Sequence, residues 1–142
     1  DGKLILLPKD SYKSAERLRV KLKKKYKVRK LGIIVIDSWV TPMRAGVTGL
    51  ALGYAGFSGV KQYKGKKDIY GRKFSFSSVN VADSLATSAM FEMGEGSERR
   101  PLATITGVHI DFSERVKTGE LRVDQKSDMY FPLIKRLPKR HL

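Results

Sequence analysis

The sequence predicts an α+β domain in which two main helices accompany short strands paired in mixed or antiparallel sheets. Two segments, Ser11–Lys27 and Val81–Met93, carry apolar residues at spacings of three and four, which is typical of one buried helix face. Short apolar or alternating segments between and after them have the length of strands. Helices and strands do not alternate regularly, so the pattern favours α+β over a βαβ architecture.

Both helices have suitable residues at their ends. Asp10 or Ser11 can cap the first helix and Asn80 the second, because a side-chain oxygen can accept a hydrogen bond from a free backbone N–H. Gly94 follows the second helix, at the position where glycine commonly ends one.

The first helix is predicted to have one apolar face and several basic ones. The apolar face holds Ala15, Leu18, Leu22 and Tyr26. The basic faces are predicted to be solvated, with nucleic-acid binding as the alternative. They carry Arg17, Arg19, Lys21, Lys23, Lys24 and Lys25.

The predicted strands are apolar, β-branched or alternating, and glycine, proline or polar residues bound them. They are Leu4–Leu7, Gly32–Ile36, Leu50–Ala55, Phe74–Val79, Leu102–Thr106 and Val108–Phe112, with Leu121–Val123 as a further short candidate. Gly53 is expected to weaken or bulge its strand. The apolar segment Tyr130–Ile134 is predicted to anchor the end of the chain.

Composition restricts the class of protein. A chain of 142 residues suits one domain with a real core. The sequence has no cysteine and therefore no disulfide or thiolate site. It shows neither an apolar run of membrane-spanning length nor a signal-peptide pattern. We therefore expect a cytoplasmic protein. The formal net charge of +15 favours anionic partners such as phosphates, acidic substrates or nucleic acid.

The most informative stretch runs from Gly32 to Gly71. Its apolar strand leads into Asp37-Ser38, and an acid at the end of a buried strand can be held in a fixed position. The following run, Gly46–Gly59, is rich in glycine, which lets backbone approach a ligand or other backbone; tight turns and close strand packing are the alternative reading. Four cations flank this run and are candidates for binding a substrate or phosphate: Arg44, Lys66, Lys67 and Arg72.

Familiar fingerprints do not apply to this stretch. From Gly59 to Gly65 there is one residue too many for a P-loop, and Lys67 stands where that motif needs Ser or Thr. No G-x-G-x-x-G links a strand to a helix, so a Rossmann site is not expected either. Ser38 has no nearby histidine for triad chemistry, and no residue is assigned as catalytic. Asp37 and Ser38 carry hard oxygens of the kind that bind Mg²⁺ or Mn²⁺.

Five motifs in order resemble one family. They are Ile36-Asp37-Ser38, the glycine run from Arg44 to Gly56, Lys67–Arg72, Val81-Ala82-Asp83, and Met93–Gly96. Together they resemble the gamma-glutamyl ligases that add glutamate to the precursor of the deazaflavin coenzyme F-420. The resemblance covers about Asp1 to Thr106, and several motifs in order are far more specific than any one of them.

The resemblance implies a gamma-glutamyl ligase-like α+β fold in an intertwined homodimer. It implies a GTP-dependent ligation that consumes L-glutamate and a cofactor precursor, with Mg²⁺ or Mn²⁺ and with K⁺ as a further candidate ion. Asp37, Ser38 and Glu95 match metal-binding positions, so Asp37 and Glu95 are expected to approach one another. The segment from Gly94 to Arg100 matches a nucleotide-contacting segment. Its candidate residues are Gly94, Glu95, Gly96, Ser97, Arg99 and Arg100.

Two departures from the family pattern leave alternatives open. Trp39-Val40-Thr41-Pro42 replaces a Gly-Arg-Pro motif, so the acceptor is either deazaflavin or folate-like. The family also has a long preceding segment with a further metal-binding Asp. Residues 1–142 are therefore predicted to be the later, C-terminal part of the ligase domain. The alternatives are a basic nucleic-acid-binding module and a non-catalytic homologue.

Overall fold

The computed structural model describes residues 6–136. Its helices are α1 (Ser11–Tyr26), α2 (Val81–Met93) and α3 (Phe131–Arg136). Its strands are β1 (Ile33–Val40), β2 (Val47–Ala55), β3 (Val60–Gln62) and β4 (Ser78–Asn80). β1 pairs with β2 and β3 with β4, both antiparallel, which confirms the α+β prediction. Between residues 6 and 136, no helix is both long and apolar enough to cross a membrane.

The predicted helix ends are confirmed. The Asp10 carboxylate accepts the Lys13 N–H at 2.9 Å and caps α1. Asn80 caps α2 by accepting the Asp83 N–H at 3.0 Å. Gly94 ends α2, and its N–H donates to the Met90 carbonyl at 2.8 Å.

The β1–β2 hairpin is longer than the sequence indicated. Its register places Val35 opposite Gly53 and Ile36 opposite Ala51, so Leu52 is an extra residue and the predicted bulge beside Gly53 is confirmed. β1 continues to Val40, which is a correction, because Asp37 and Ser38 were expected at the end of the strand. The pairing of Ser38 with Gly49, and of the residues beyond it, extends the strand.

Glycines let the helices touch β2 at backbone distance. A Cβ atom on Gly49 would lie 2.4 Å from the Ala86 carbonyl oxygen of α2, and one on Gly53 would lie 2.6 Å from the Ser11 carbonyl carbon of α1. Two hydrogen bonds fix α2 on the strand: Ala51 N–H donates to Asp83 Oδ1 at 2.8 Å, and Thr87 Oγ1 donates to the Gly49 carbonyl at 3.0 Å. At Gly49 and Gly53, the glycines therefore serve close packing, which was the alternative to ligand binding for the glycine-rich run.

The buried cluster between these elements is small. It contains Ala51, Tyr54, Phe57, Ala82 and Ala86, with part-buried residues such as Ile34, Ile36 and Leu85 around it. Small side chains at most of these positions match the close approach of α2 to β2.

The predicted position of Arg19 on a solvated face is wrong, because this residue is only 2% exposed. Its Nε donates to the Leu31 carbonyl at 2.9 Å, and its Nη2 donates to Glu114 Oε1 at 2.6 Å. The predicted apolar face is wrong in part, because Leu18 and Tyr26 are exposed while Ala15 is buried. Ala15 and Arg19, four residues apart, therefore lie on the buried face of α1, where Arg19 satisfies the Leu31 carbonyl and the Glu114 carboxylate.

The segment after residue 107 packs on the core without forming a strand. Ser58 N–H donates to the Asp111 carbonyl at 2.8 Å, and Ser113 N–H donates to the Gly56 carbonyl at 3.0 Å. Glu120 Oε2 accepts the buried Tyr54 hydroxyl at 2.7 Å. Burial, with this carboxylate beside it, raises the pKa of the Tyr54 phenol.

Other predicted strands are wrong in whole or in part. The strand predicted at Phe74–Val79 is confirmed only for its last two residues, which lie in β4, while residues 74–77 are not a strand. Residues 102–106 and 121–123 are not strands, and residues 108–112 contain only a bridge between Phe57 and Phe112. Leu6 and Leu7 are exposed and not in a strand, while residues 4–5 lie outside the described range. The Tyr130–Ile134 anchor is instead mostly helix α3, with Leu133 61% and Ile134 58% exposed. These apolar segments have no partner strand within residues 6–136.

Glu114 gives a prediction for acid stability. Hydrogen bonds from Arg19 and, second, from Lys23 lower the pKa of the Glu114 carboxyl from 4.5 to about 2. A pKa lowered by folding contributes stability that is fully present above the unfolded value and is lost as the pH falls through the folded value. We expect Glu114→Gln to unfold at lower urea concentration than the parent protein at neutral pH. The difference should shrink between about pH 5 and about pH 2.

The measurement is urea unfolding at a series of pH values. Asp124→Asn is the control, since the Asp124 carboxylate accepts only the nearby Lys126 N–H, at 2.7 Å, among residues 6–136. A difference between Glu114→Gln and the parent that stays constant over the whole pH range would show that the Arg19–Glu114 pair does not contribute in this way.

Candidate functional site

One open groove of about 570 Å³ gathers most of the predicted site residues. Three elements line it: Ile36–Ser38 from β1, Met90 and Met93 from the end of α2, and the following loop through Gly94–Gly96 and Arg99–Pro101. The groove therefore lies where the outer part of the long β1 strand meets the end of α2.

The packing of α2 determines where the groove forms. Ser38 lies opposite Gly49 in the hairpin, and Gly49 is the residue that touches α2 at Ala86. Met90 and Met93 follow one and two turns later on the same helix. The close approach at Gly49 thus brings the end of α2 beside Asp37 and Ser38. Asp37 is exposed, and its Oδ1 accepts the Ser38 N–H at 2.8 Å.

The loop after α2 is held by its own polar contacts. Glu98 Oε2 accepts the Gly96 N–H at 2.8 Å. Backbone N–H groups, its own and that of Gly96, lower the pKa of the Glu98 carboxyl below its usual value. Arg100 Nη1 donates to the Glu92 carbonyl at 3.1 Å, near the end of the helix. Gly94 has a φ of 78°, and a side chain there would collide with Glu98.

The predicted site residues fall into two groups. Asp37 and Ser38 share the groove with five of the six residues predicted in the loop, and only Ser97 does not line it. Asp37 and Glu95, which lie far apart in sequence, therefore line one cavity. Their roles as metal and nucleotide ligands stay predictions.

The four candidate cations do not line the groove. Arg44 lies in the turn of the β1–β2 hairpin, whereas the other three lie between β3 and β4. Arg72 Nε is paired with Asp68 Oδ2 at 2.9 Å, and Lys66 Nζ lies 5.4 Å from the centre of the Tyr63 ring. Their role in ligand binding also stays a prediction.

Two residues that line the groove were assigned no role from the sequence: Met90, and Met93 at the start of the motif Met93–Gly96. Met90 and Met93 form an apolar wall, and their spacing of three residues on a helix was the available signal. Glu98 and Glu92 position the loop without lining the groove, and nothing in the sequence indicates that Glu98 would accept the Gly96 N–H or that Arg100 would donate to the Glu92 carbonyl. Asp83, which matched a family motif without an assigned role, holds α2 against β2.

The oxygen donors of the groove fit a hard divalent cation in part. Asp37, Ser38 and Glu95 offer two carboxylates and a hydroxyl, the donor types that Mg²⁺ and Mn²⁺ prefer. Within residues 6–136, no group of three or more His, Asp or Glu side chains could hold a metal ion. Protein donors here are fewer than the roughly six oxygens of a Mg²⁺ shell, so water or substrate phosphates would supply several.

Fold and groove together define the class: this is an α+β domain with an open groove lined by carboxylates, a hydroxyl and arginines, and its sequence has neither a P-loop nor a Rossmann motif. The chain belongs to the F420-0:gamma-glutamyl ligase family, because the family model of that description matches residues 1–107. This match confirms the resemblance stated from the motifs.

Curated relatives agree with the family match. The coenzyme F420:L-glutamate ligase of Methanococcus maripaludis strain S2 is 36% identical over 125 residues, which cover 88% of this chain and 49% of the relative. The ligase of the same name from Methanocaldococcus jannaschii is 36% identical over 107 residues, 75% of this chain and 43% of the relative. That of Methanosarcina barkeri is 31% identical over 140 residues, 99% of this chain and 54% of the relative. The chain thus spans about half the length of these relatives.

Proposed function

We propose that this chain is the C-terminal part of a gamma-glutamyl ligase that joins L-glutamate to a cofactor precursor, either that of coenzyme F-420 or a folate-like acceptor. The observation that carries the proposal is the groove in which Asp37, Ser38 and Glu95 share one cavity with the loop 94–101. The family match and the names of the curated relatives support the same activity.

The proposed reaction has two steps. A carboxylate of the acceptor takes the terminal phosphoryl group of GTP, which releases GDP and leaves an acyl phosphate. The amine of L-glutamate then attacks the acyl carbon, the C–O bond to phosphate breaks, and the amine loses a proton. The products are GDP, inorganic phosphate and the new amide. Both steps need an environment that stabilises negative charge on phosphoryl oxygens.

Residues of the groove are suited to that requirement. Asp37, Ser38 and Glu95 would hold Mg²⁺ or Mn²⁺, which when bound offsets the charge of the triphosphate. The loop 94–101 brings the guanidinium groups of Arg99 and Arg100 to the groove, and a guanidinium can bind phosphate or carboxylate oxygens. Met90 and Met93 provide an apolar wall for the uncharged part of a substrate. K⁺ and a homodimer remain predictions without assigned residues.

The proposal is tested by comparing the full-length protein with the 142-residue chain. Each is assayed for GTP-dependent addition of glutamate to deazaflavin and folate acceptors, with products identified by mass spectrometry. We expect turnover by the full-length protein alone, because the acids described in the groove are too few to complete a metal site.

Two results would contradict this. Comparable turnover by the 142-residue chain would show that the preceding segment is not required. Absence of turnover by the full-length protein with both acceptor classes, at saturating GTP and Mg²⁺ or Mn²⁺, would contradict the ligase function itself.

A further inference from the structure

A turn in the segment beyond residue 107 brings a glutamate to the core. The turn is closed by the Glu120 N–H, which donates to the Lys117 carbonyl at 3.1 Å. Leu121, the next residue, packs against the buried cluster. The family model matches residues 1–107, and the motifs that carry the resemblance end before residue 107 as well, so neither assigns a role to Glu120.

Glu120 joins two parts of the fold through one oxygen atom. Its Oε2 accepts the hydroxyl of Tyr54 on β2 at 2.7 Å and the N–H of Gly59 at 2.9 Å. Tyr54 is fully buried, so its hydroxyl needs a partner, and one acceptor satisfies that need. The bond to Gly59 is additional. A Cβ atom on Gly59 would collide with the Tyr54 hydroxyl, so a glycine here lets both donors reach the same carboxylate.

Gly59 in turn holds the beginning of α2. Its carbonyl accepts the N–H of Val81 at 2.8 Å and that of Ala82 at 3.1 Å. Both belong to the first turn of the helix, where N–H groups have no partner within the helix itself. Through Gly59, Glu120 therefore fixes the start of the helix whose other end lines the groove.

The geometry of α2 transmits a shift at its start to the groove. The helix meets β2 at backbone distance where Ala86 faces Gly49. Val81 lies before that contact and Met93 after it, by about 8 Å and about 10 Å at a rise of 1.5 Å per residue. A rigid helix that is no longer held at Val81 can tilt about Ala86. Met90 and Met93 then move by a similar distance in the opposite direction.

We propose that Glu120 is a positioning residue of the groove: through Gly59 it fixes the start of α2, and α2 carries the methionine wall and the loop 94–101 to β1. The effect on turnover rests on the proposed function. Glu114, in the same segment, offers an internal comparison. It accepts bonds from Arg19 and Lys23 of α1 at 2.6 and 3.1 Å, and α1 does not line the groove.

The experiment measures amide hydrogen exchange of the full-length protein by mass spectrometry. Glu120→Ala should raise exchange in α2 and the loop 94–101 by roughly 10-fold, the factor expected when a hydrogen bond to a charged group no longer opposes local opening. Exchange in α1 should stay as in the parent protein. Glu114→Ala is the matched control and should raise exchange in α1 instead. Equal increases in both helices, or parent-like exchange of α2 in Glu120→Ala, would overturn the proposal.

Two further variants separate the hold on α2 from the need of the buried phenol. Glu120→Gln keeps an oxygen that can accept the Gly59 N–H and an amide group that can donate to the phenol oxygen, so it should restore parent-like exchange. Tyr54→Phe removes the hydroxyl and leaves the Gly59 bond, so α2 should again exchange as in the parent. Exchange of α2 in either variant as fast as in Glu120→Ala contradicts the role of the Gly59 bond. If Glu120→Ala does not fold, Glu120→Asp, whose carboxylate is one methylene shorter, replaces it with the same expected pattern.

Turnover links the position of α2 to the groove. At a temperature where circular dichroism shows every variant folded, kcat should fall by roughly 10- to 100-fold in Glu120→Ala, because small displacements near a reacting centre are costly. Glu114→Ala should keep parent-like kcat, although both variants unfold at lower urea concentration. Parent-like kcat in Glu120→Ala overturns the inference. The expected exchange pattern in a parent protein without turnover supports the hold on α2 and contradicts only the proposed function.

Discussion

Asp37→Asn in the full-length protein is expected to reduce metal-dependent ligase turnover by roughly 10²–10³-fold, the loss typical of removing one electrostatic group from a reacting centre. The amide keeps the shape of the carboxylate but removes the charge that would hold a divalent cation. The fold should tolerate the change, since Asp37 is exposed and, within residues 6–136, its carboxylate accepts a hydrogen bond only from the adjacent Ser38 N–H. We expect the free energy of unfolding to change by less than about 0.5 kcal/mol.

The measurement is turnover across a Mg²⁺ or Mn²⁺ titration, together with thermal unfolding. Asp124→Asn is a closely matched control, because Asp124 is also exposed and also accepts a nearby backbone N–H. Glu95→Gln should act in the same direction, and the double variant should lose less than the product of the single losses if both acids serve one ion. Normal turnover in Asp37→Asn would remove this residue from the site.

Gly49→Ala is expected to destabilise the protein by about 3 kcal/mol, at the upper end of the cost of overpacking. The added Cβ would lie 2.4 Å from the Ala86 carbonyl oxygen, and this neighbour is backbone rather than a flexible side chain. Helix α2 must then move away from β2, which weakens the bonds at Asp83 and Thr87 and shifts Met90 and Met93 away from Asp37. Turnover should therefore fall as well, even under conditions where the variant remains folded.

Gly107→Ala is the control for this change. Its Cβ would meet nothing within 4 Å, but its φ of 74° is unfavourable for alanine. It should cost about 1–2 kcal/mol from backbone conformation alone and leave the turnover of folded protein unchanged. Urea unfolding and kcat are the two readouts. A Gly49→Ala variant with full kcat and the same stability as Gly107→Ala would show that the contact with Ala86 does not position the groove.

Features that depend on neighbouring residues could be predicted from the sequence. Asp10, Asn80 and Gly94 act at helix ends through contacts with residues three or four positions away, so their roles could be predicted from the local sequence. The bulge beside Gly53 belongs to the same kind of local effect. The motifs that carry the family resemblance also pointed to the groove, because Asp37 and Glu95 do line it together.

Features that depend on distant partners could not be predicted. β1 continues past Asp37 because Thr48 and Val47 pair with Trp39 and Val40. All four residue types are common in strands, but composition does not identify the partner strand. Arg19 is buried because Glu114, which is 95 residues away, reaches its guanidinium. The apolar segment 102–106 has a strand-like composition but finds no partner strand within residues 6–136, and tertiary context decided its structure.

The tail contacts have a consequence for the order in which the chain folds. Pairing of β1 with β2 closes a short loop, whereas the bonds from Glu120 to Tyr54 and from Glu114 to Arg19 span 66 and 95 residues. Closing such long loops costs more chain entropy and proceeds later. During synthesis the Tyr54 hydroxyl and the Arg19 guanidinium emerge before their partners, the carboxylates of Glu120 and Glu114. Until Glu114 and Glu120 have been synthesised, these two polar groups, at the interface of the hairpin and α1, form hydrogen bonds with water instead. The rate of translation determines how long this state lasts.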